Sequence, residues 1–254
     1  MKLIDLHSHI LYGIDDGSKE LENSVVMARE ASEAGITHIC CTPHYLEPNF
    51  ISNWEENEKR LEILQSRLKE ENIDLELRLG NEIFITENTI EDITQNRALK
   101  LNESRYVLVE FPMVNELKCC EKIIDRLILM GLKVIIAHPE RYKYVQENPD
   151  YLIPYLEKGV IFQSNIGSII GMYGDSAKQC INTLLKRNMI QALSTDAHKS
   201  NSVYKKIEKI SEKMKEKISE EYFEELTLIN PQKILNDEDI EIRKFKKKKR
   251  FIFF

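Results

Sequence analysis

Nine side chains of the kinds that hold metal ions fall where short apolar runs of this chain end. The first run leads into His7-Ser8-His9, and the second into Thr42-Pro43-His44. The third leads into Gly80-Asn81-Glu82, and the fourth ends at Glu110-Phe111-Pro112. The fifth leads into His138-Pro139-Glu140-Arg141, and the seventh into Asp196-Ala197-His198. The sixth contributes Gln163 and Asn165. Imidazole and carboxylate together suit zinc, manganese and iron. A tetrahedral ion takes about four ligands, so this many donors fit two or three ions bridged by carboxylates better than one. Clustered ions of that kind activate water and clamp the oxygens of an in-line phosphoryl displacement.

Each piece alone is weak, because a histidine at a strand end is more often a satisfied structural group. The combination carries the weight: five of the six histidines stand at ends of expected strands. His38 is the exception. It lies inside the second run and reads as a packed or surface side chain.

The elements that must position these groups follow from the patterning. Runs at 2–6, 37–41, 75–79, 106–110, 133–137, 160–163 and 190–194 are rich in Ile, Val and Leu without strict alternation. Parallel strands buried on both faces read this way. Between them, helical spacing covers 20–34, 54–71, 123–130, 182–188 and 203–228. In 54–71 the residues Leu61, Leu64 and Leu68 share a face, and in 123–130 Ile123, Leu127 and Met130 do so before Gly131 stops the helix. The Lys and Glu pairs of 203–228 read as a solvated outer helix. Such an alternation is α/β with a parallel sheet, and seven or so units suggest a closed barrel.

Composition agrees. The chain has 254 residues, 42% hydrophobic and 31% charged, with a net charge of -6, so nothing global points to nucleic acid. Five cysteines in an odd number, without CxxC spacing, argue for a reduced cytoplasmic chain rather than a disulfide framework. The start turns polar too early for a signal peptide, and no apolar run approaches the ~20 residues of a membrane span. The last stretch, 244–254, is basic and then apolar, which suits a solubilising tail or contact with an anionic membrane surface.

The ordered set DLHSHILYGIDDGS, CTPHY, NEIF, VEFP, AHPERY and STDAH resembles the polymerase-and-histidinol-phosphatase (PHP) superfamily. More narrowly it resembles the bacterial tyrosine-protein phosphatases of capsule and exopolysaccharide assembly. The GIDDG element and the ER pair after AHP narrow the match, which runs from residue 3 to about residue 200. The resemblance implies a distorted (β/α)7 TIM-like barrel at residues 1–243, with the tail beyond it. It implies a manganese-preferring cluster of two or three divalent ions, for which iron and zinc are also suited. Carried over by motif, the ligands are His7, His9, Asp16, His44, Glu82, Glu110, His138, Asp196 and His198. Asp15 is then a supporting group that caps the turn before Gly17. Arg141 is the contact to substrate phosphate, and a metal-bridging hydroxide is the nucleophile. Cys40 and Cys41 have no CX₅R loop, so cysteine-phosphatase chemistry has no residues here. The implied partner is a phosphotyrosine protein, a bacterial tyrosine kinase, met in the cytoplasm at the inner face of the membrane.

The chain departs from that pattern after STDAH, where the resemblance leads one to expect a second arginine and lysines stand instead. Lys199 and Lys205 are the candidate replacements, as point charges rather than forks. Two other readings share some of these residues: a phosphatase of a small phosphoester such as histidinol phosphate, and a barrel that binds metal or a partner without catalysis.

Overall fold

The computed structural model describes residues 2–50, 53–115 and 119–246. Among the described residues nine strand segments form: β1 (Leu3–Ser8), β2 (Ile36–Cys41), β3 (His44–Tyr45), β4 (Glu76–Leu79), β5 (Glu82–Phe84), β6 (Tyr106–Glu110), β7 (Lys133–Ala137), β8 (Ile161–Asn165) and β9 (Ala192–Ser194). All their pairings are parallel. They lie in two sheets, ordered β1-β2-β4 and β3-β5-β6-β7-β8-β9. The architecture is α/β with parallel sheets, as the patterning predicts.

The segments β3 and β5, absent from the sequence reading, continue β2 and β4 past short interruptions. Thr42-Pro43 divides the first pair and Gly80-Asn81 the second. Proline has no N–H for the ladder, and the ladder is mended locally. Gly80 N donates to Cys41 O at 3.0 Å, and Glu82 N to Pro43 O at 3.2 Å. The Asn81 side chain adds a bond to Pro43 O at 2.9 Å. At the other edge, Asp196 N donates to His7 O at 2.8 Å and His9 N to Ala197 O at 2.9 Å. These bonds set the chain after β9 beside β1.

Strand side chains divide between two apolar clusters. Ile4, Leu6, Cys40, Tyr106, Leu108, Ile135, Ala137, Ile161 and Ala192 form the smaller one. Their neighbours Val107, Val109, Val134, Ile136 and Phe162 belong to the larger one, which includes the helices. Burial on both faces explains the missing alternation.

Helices cover Leu21–Glu33, Trp54–Glu70, Cys120–Leu129 and Asp175–Lys186. Asn53 caps the second by accepting from Glu55 N and Glu56 N. The fourth begins seven residues before the expected 182. The expected helix at 203–228 is corrected: it breaks into Tyr204–Lys206, Ile207–Lys215, Glu220–Glu224 and the π-helical Glu225–Ile229. Ser219 accepts from Tyr222 N and starts the third piece. Ile207, Ile210 and Met214 are buried, an apolar stripe that the surrounding Lys and Glu pairs hid. Of the tail, residues 244–246 pack against Arg187, where Lys246 N donates to Arg187 O at 2.9 Å. The remainder of the tail lies outside the described residues. No helix among the described residues is long and apolar enough to cross a membrane.

Candidate metal centre

The strand ends deliver the donors, by two routes. In β6 and β8 the parity of the inner cluster simply continues, from Tyr106 and Leu108 to Glu110, and from Ile161 to Gln163 and Asn165. In β1 a register shift between Asp5 and Ser8 changes the parity, and His7 and His9 turn to the centre. His138 and Asp196 adopt left-handed backbone conformations, at φ 33° and 52°. Non-glycine residues hold such angles at a cost of about 1–3 kcal/mol, and such costs gather at functional sites.

Glu82 is the hub. Its Oε2 lies 3.2 Å from His7 Nε2, 3.4 Å from His9 Nε2 and 2.9 Å from His44 Nδ1. Its Oε1 lies 2.8 Å from His138 Nε2, which is 3.5 Å from Glu110 Oε1. Asp196 Oδ1 stands 3.5 Å from His7 Nε2 and 3.4 Å from His9 Nε2 and His198 Nδ1. Asp16, on the exposed rim, bridges His44 Nε2 at 3.5 Å and His198 Nε2 at 3.3 Å. The fold thus brings all nine expected ligands to one place. Three groupings have donor atoms mutually within 4.8 Å: His9, Asp16, His44 and His198; His7, His9 and Glu82; and His44, Glu82 and Glu110.

The donors fit metal ions rather than one another. Glu82 Oε2 is buried and makes no hydrogen bond of sound geometry, although three imidazoles surround it. His7 Nε2 and His9 Nε2 face each other at 3.2 Å. Their outer nitrogens are already engaged: His7 Nδ1 donates to Gln163 Oε1 at 2.9 Å, and His9 Nδ1 to Asp15 Oδ2 at 2.7 Å. Those bonds fix the tautomers and leave the Nε2 lone pairs pointing inward, as metal-binding histidines require. Asp15 also accepts from Gly17 N at 2.9 Å and His44 N at 2.9 Å, the supporting role expected of it. A Cβ at Gly17 would lie 2.2 Å from His9 O, so only glycine permits this turn.

The charges of these side chains polarise one another strongly. Burial alone would lower the His7 pKa, but the Glu82 and Asp196 carboxylates outweigh it and raise it to about 9. His9 is raised well above the usual range against the same opposition, mainly by Asp15. Glu110 is pushed up to about 8 by burial and by the charge of Glu82. Burial would raise Asp15, yet its bond to His9 holds it at about 2.

Arg141 stands at the edge. Its Nη1 donates to Asp196 Oδ2 at 2.7 Å, and its Cζ lies 4.8 Å from the Tyr173 ring centroid. Lys199 is exposed on the turn beyond His198. Lys205 is engaged elsewhere: its Nζ donates to Asn201 Oδ1 at 2.6 Å and stands 3.3 Å from Glu30 Oε1. His38 pairs with Glu76 at 2.9 Å, a structural role as expected.

The structure also shows what supports the donors: Asp5, to which the sequence reading gave no role, and Glu140, Gln163 and Asn165, which it placed at strand ends. Asp5 is buried and accepts from Thr195 N at 2.9 Å and from Tyr204 OH at 3.2 Å. It pins the end of β9 to β1, between the two motifs that each supply two ligands. A carboxylate inside an apolar run was the available signal. Glu140 accepts from Asn165 N at 2.9 Å and Ser168 Oγ at 2.7 Å, holding the loop after β8 beside Arg141. Asn165 Nδ2 in turn donates to Asp196 Oδ2 at 2.7 Å, and Gln163 holds His7.

Fold and donors together define a parallel α/β protein whose clustered histidines and carboxylates could hold metal ions. A sequence profile described as capsular polysaccharide synthesis, CpsB/CapC, matches residues 3–236, and the chain belongs to that family. It is 35% identical over 196 residues to the tyrosine-protein phosphatase YwqE of Bacillus subtilis, an overlap of 77% of each chain. It superposes with a TM-score of 0.91 and 30% identity on a structure reported for YwqE from Bacillus subtilis and CpsB from Streptococcus pneumoniae, described as unique metal-dependent tyrosine phosphatases. That superposition covers 98% of this chain and 100% of the other. A histidinol phosphate phosphatase from Lactococcus lactis shares the fold at a TM-score of 0.58 and 18% identity, over 85% of this chain and 93% of that one.

Proposed function

We propose that this chain is a metal-dependent protein-tyrosine phosphatase that acts in the cytoplasm on a bacterial tyrosine kinase governing capsular or exopolysaccharide synthesis. One observation carries the reading: the full donor set gathers around Glu82 and Asp196, with a guanidinium at its edge, in a member of the CpsB/CapC family. We read the nine strand segments as a distorted (β/α)7 barrel, with its seam between β9 and β1. The backbone bonds from Asp196 to His7 and from His9 to Ala197 support that closure.

Two or three divalent ions, manganese foremost, would be held by His7, His9, Asp16, His44, Glu82, Glu110, His138, Asp196 and His198. When bound, they supply an activated water and neutralise charge on the phosphate oxygens. The chain's own groups orient the reaction. Arg141 binds the phosphate, because a planar fork matches two of its oxygens and steadies charge that grows there. Asp196 holds one guanidinium nitrogen and so fixes where the fork points. Gln163 and Asp15 keep two imidazoles in register. The cysteines take no part: burial pushes Cys40 up to about 12 and raises Cys41 well above its usual range, so both stay thiols. Lys199 remains a candidate second contact to the phosphate.

The test is hydrolysis of a phosphotyrosine peptide beside histidinol phosphate, after chelation and re-addition of manganese. Metal-restored activity on the peptide, with little on histidinol phosphate, supports the reading. The reverse preference moves the chain to small phosphoesters, and inactivity on both favours a binding protein.

A further inference from the structure

Two aromatic side chains stand at opposite ends of the row of donors, and neither serves the metal centre. Phe50 follows β3 on a loop closed by reciprocal bonds, Leu46 N to Phe50 O at 2.9 Å and Phe50 N to Leu46 O at 2.7 Å. The clamp keeps its partly exposed ring 5.5 Å, centroid to centroid, from the His44 imidazole. Tyr173 follows the 3-10 turn Ile166–Ile170, and its ring carries the Arg141 guanidinium on one face at 4.8 Å. Gly167 leaves room beside the ring: a Cβ at that position would lie in tight contact, 3.3 Å from Tyr173 Cε2 and 3.0 Å from Met172 Sδ. Between the two rings runs a continuous series of contacts. Arg141 holds Asp196, Asp196 Oδ1 stands 3.4 Å from His9 Nε2, and the His9 and His44 rings are 4.5 Å apart.

Resting on the phosphatase reading above, we propose that Phe50 and Tyr173 are specificity-determining residues that contact the phenyl ring of phosphotyrosine while its phosphate lies along the row between them. A phosphate held by Arg141 over this row carries its ester group outward to the rim. A flat aromatic ester group meets apolar surface from Phe50 and Tyr173, whereas a short aliphatic one reaches neither ring. Aromatic pairs favour contacts at centroid distances of about 4.5–7 Å, which side chains anchored by a closed loop and by a stacked guanidinium provide without further ordering. The preference for the aryl ester is thus built into the loops after β3 and β8, apart from the ligands that perform the chemistry.

The experiment compares kcat/KM for a phosphotyrosine peptide and for acetyl phosphate, an activated phosphate without a ring, in manganese-loaded protein. F50L and Y173L keep apolar bulk but lose the flat surface. Each is expected to lower the peptide-to-acetyl-phosphate ratio by roughly 3- to 10-fold, chiefly through KM for the peptide, the scale of one aromatic contact. F50Y and Y173F restore the ratio to near the wild-type value. A ratio unchanged in F50L and Y173L, with metal content and melting temperature as in wild type, overturns the proposal, and so does an equal loss on both substrates. Phe50 lies on a surface loop, so F50L gives a reading even where Y173L melts early. Wild-type turnover of the peptide reports on the reaction itself and the ratio on its walls, so the two ideas fail separately.

Discussion

Metal uptake by this centre is predicted to expel protons, and their number follows from the geometry. With no ion bound, His7 has a pKa of about 9 and Glu110 of about 8, while His9 is raised well above its ordinary range. At pH 7 both His7 and Glu110 are therefore largely protonated, and an ion that takes their lone pairs must displace about two protons, more if His9 also gives one up. Apparent affinity then climbs about 100-fold per pH unit between roughly pH 6 and 7.5, and levels off above about 9. The assay is manganese titration of chelated protein by calorimetry in two buffers of different ionisation enthalpy. In Glu110→Gln, which has no proton to lose, the release falls by about one. A release near zero at pH 7, or an affinity independent of pH, refutes the picture of imidazoles charged by Glu82 and Asp196. The sign also fixes a stability trend. The folded-state pKa of His7 lies above its unfolded value, so its contribution is fully present below about 6.5 and fades as pH rises through about 9. Metal-free protein should melt at progressively lower temperature across that window.

Arg141→Ala is expected to lower kcat/KM on phosphotyrosine by about 10²–10³ with metal content retained, and Arg141→Lys by less, because charge persists without the fork. Steady-state kinetics with metal analysis checks this, and near-wild-type activity of the alanine variant removes Arg141 from the site. Glu82→Gln takes the shared anion from four imidazoles and should abolish stable metal loading, with a loss of roughly 3–5 kcal/mol in metal-free stability, seen by denaturant titration. Thiol labelling of native protein at pH 8 should be slow at Cys40, Cys41 and Cys180, whose pKa values burial raises, and fastest at the partly exposed Cys119. Rapid labelling of Cys40 contradicts the packed position of β2.

Strand positions were legible because two-sided burial writes itself as runs of Ile, Val and Leu, and ligand types at their ends marked the centre. Residues 42–43 and 80–81 were less readable. Proline and glycine there signalled an end, whereas Asn81 and the displaced ladder carry the strands onward as β3 and β5. The helix expected at 203–228 failed because charge pairs dominate its composition, while its breaks depend on the Ser219 cap and on burial of Tyr222 and Phe223. Lys205 carries a charge suited to phosphate, yet its place is decided by Glu30, 175 residues earlier in the chain. Tyr173 owes its place to loops that meet only in the fold, so no local pattern announces it, and Glu140 was visible in the ER pair while its partners Asn165 and Ser168 were not. Asp5 was the missed opportunity, a buried charge in an apolar strand that needed donors and found Thr195 and Tyr204.

The central claim is that one histidine–carboxylate cluster performs metal-dependent phosphotyrosine hydrolysis. The most direct measurement titrates manganese into chelated protein while following hydrolysis of a phosphotyrosine peptide and counting bound ions. Activity that is absent without metal, rises only as two or three ions fill each chain, and is lost in His138→Ala agrees with the account. Full activity in the metal-free protein, or in His138→Ala, contradicts it.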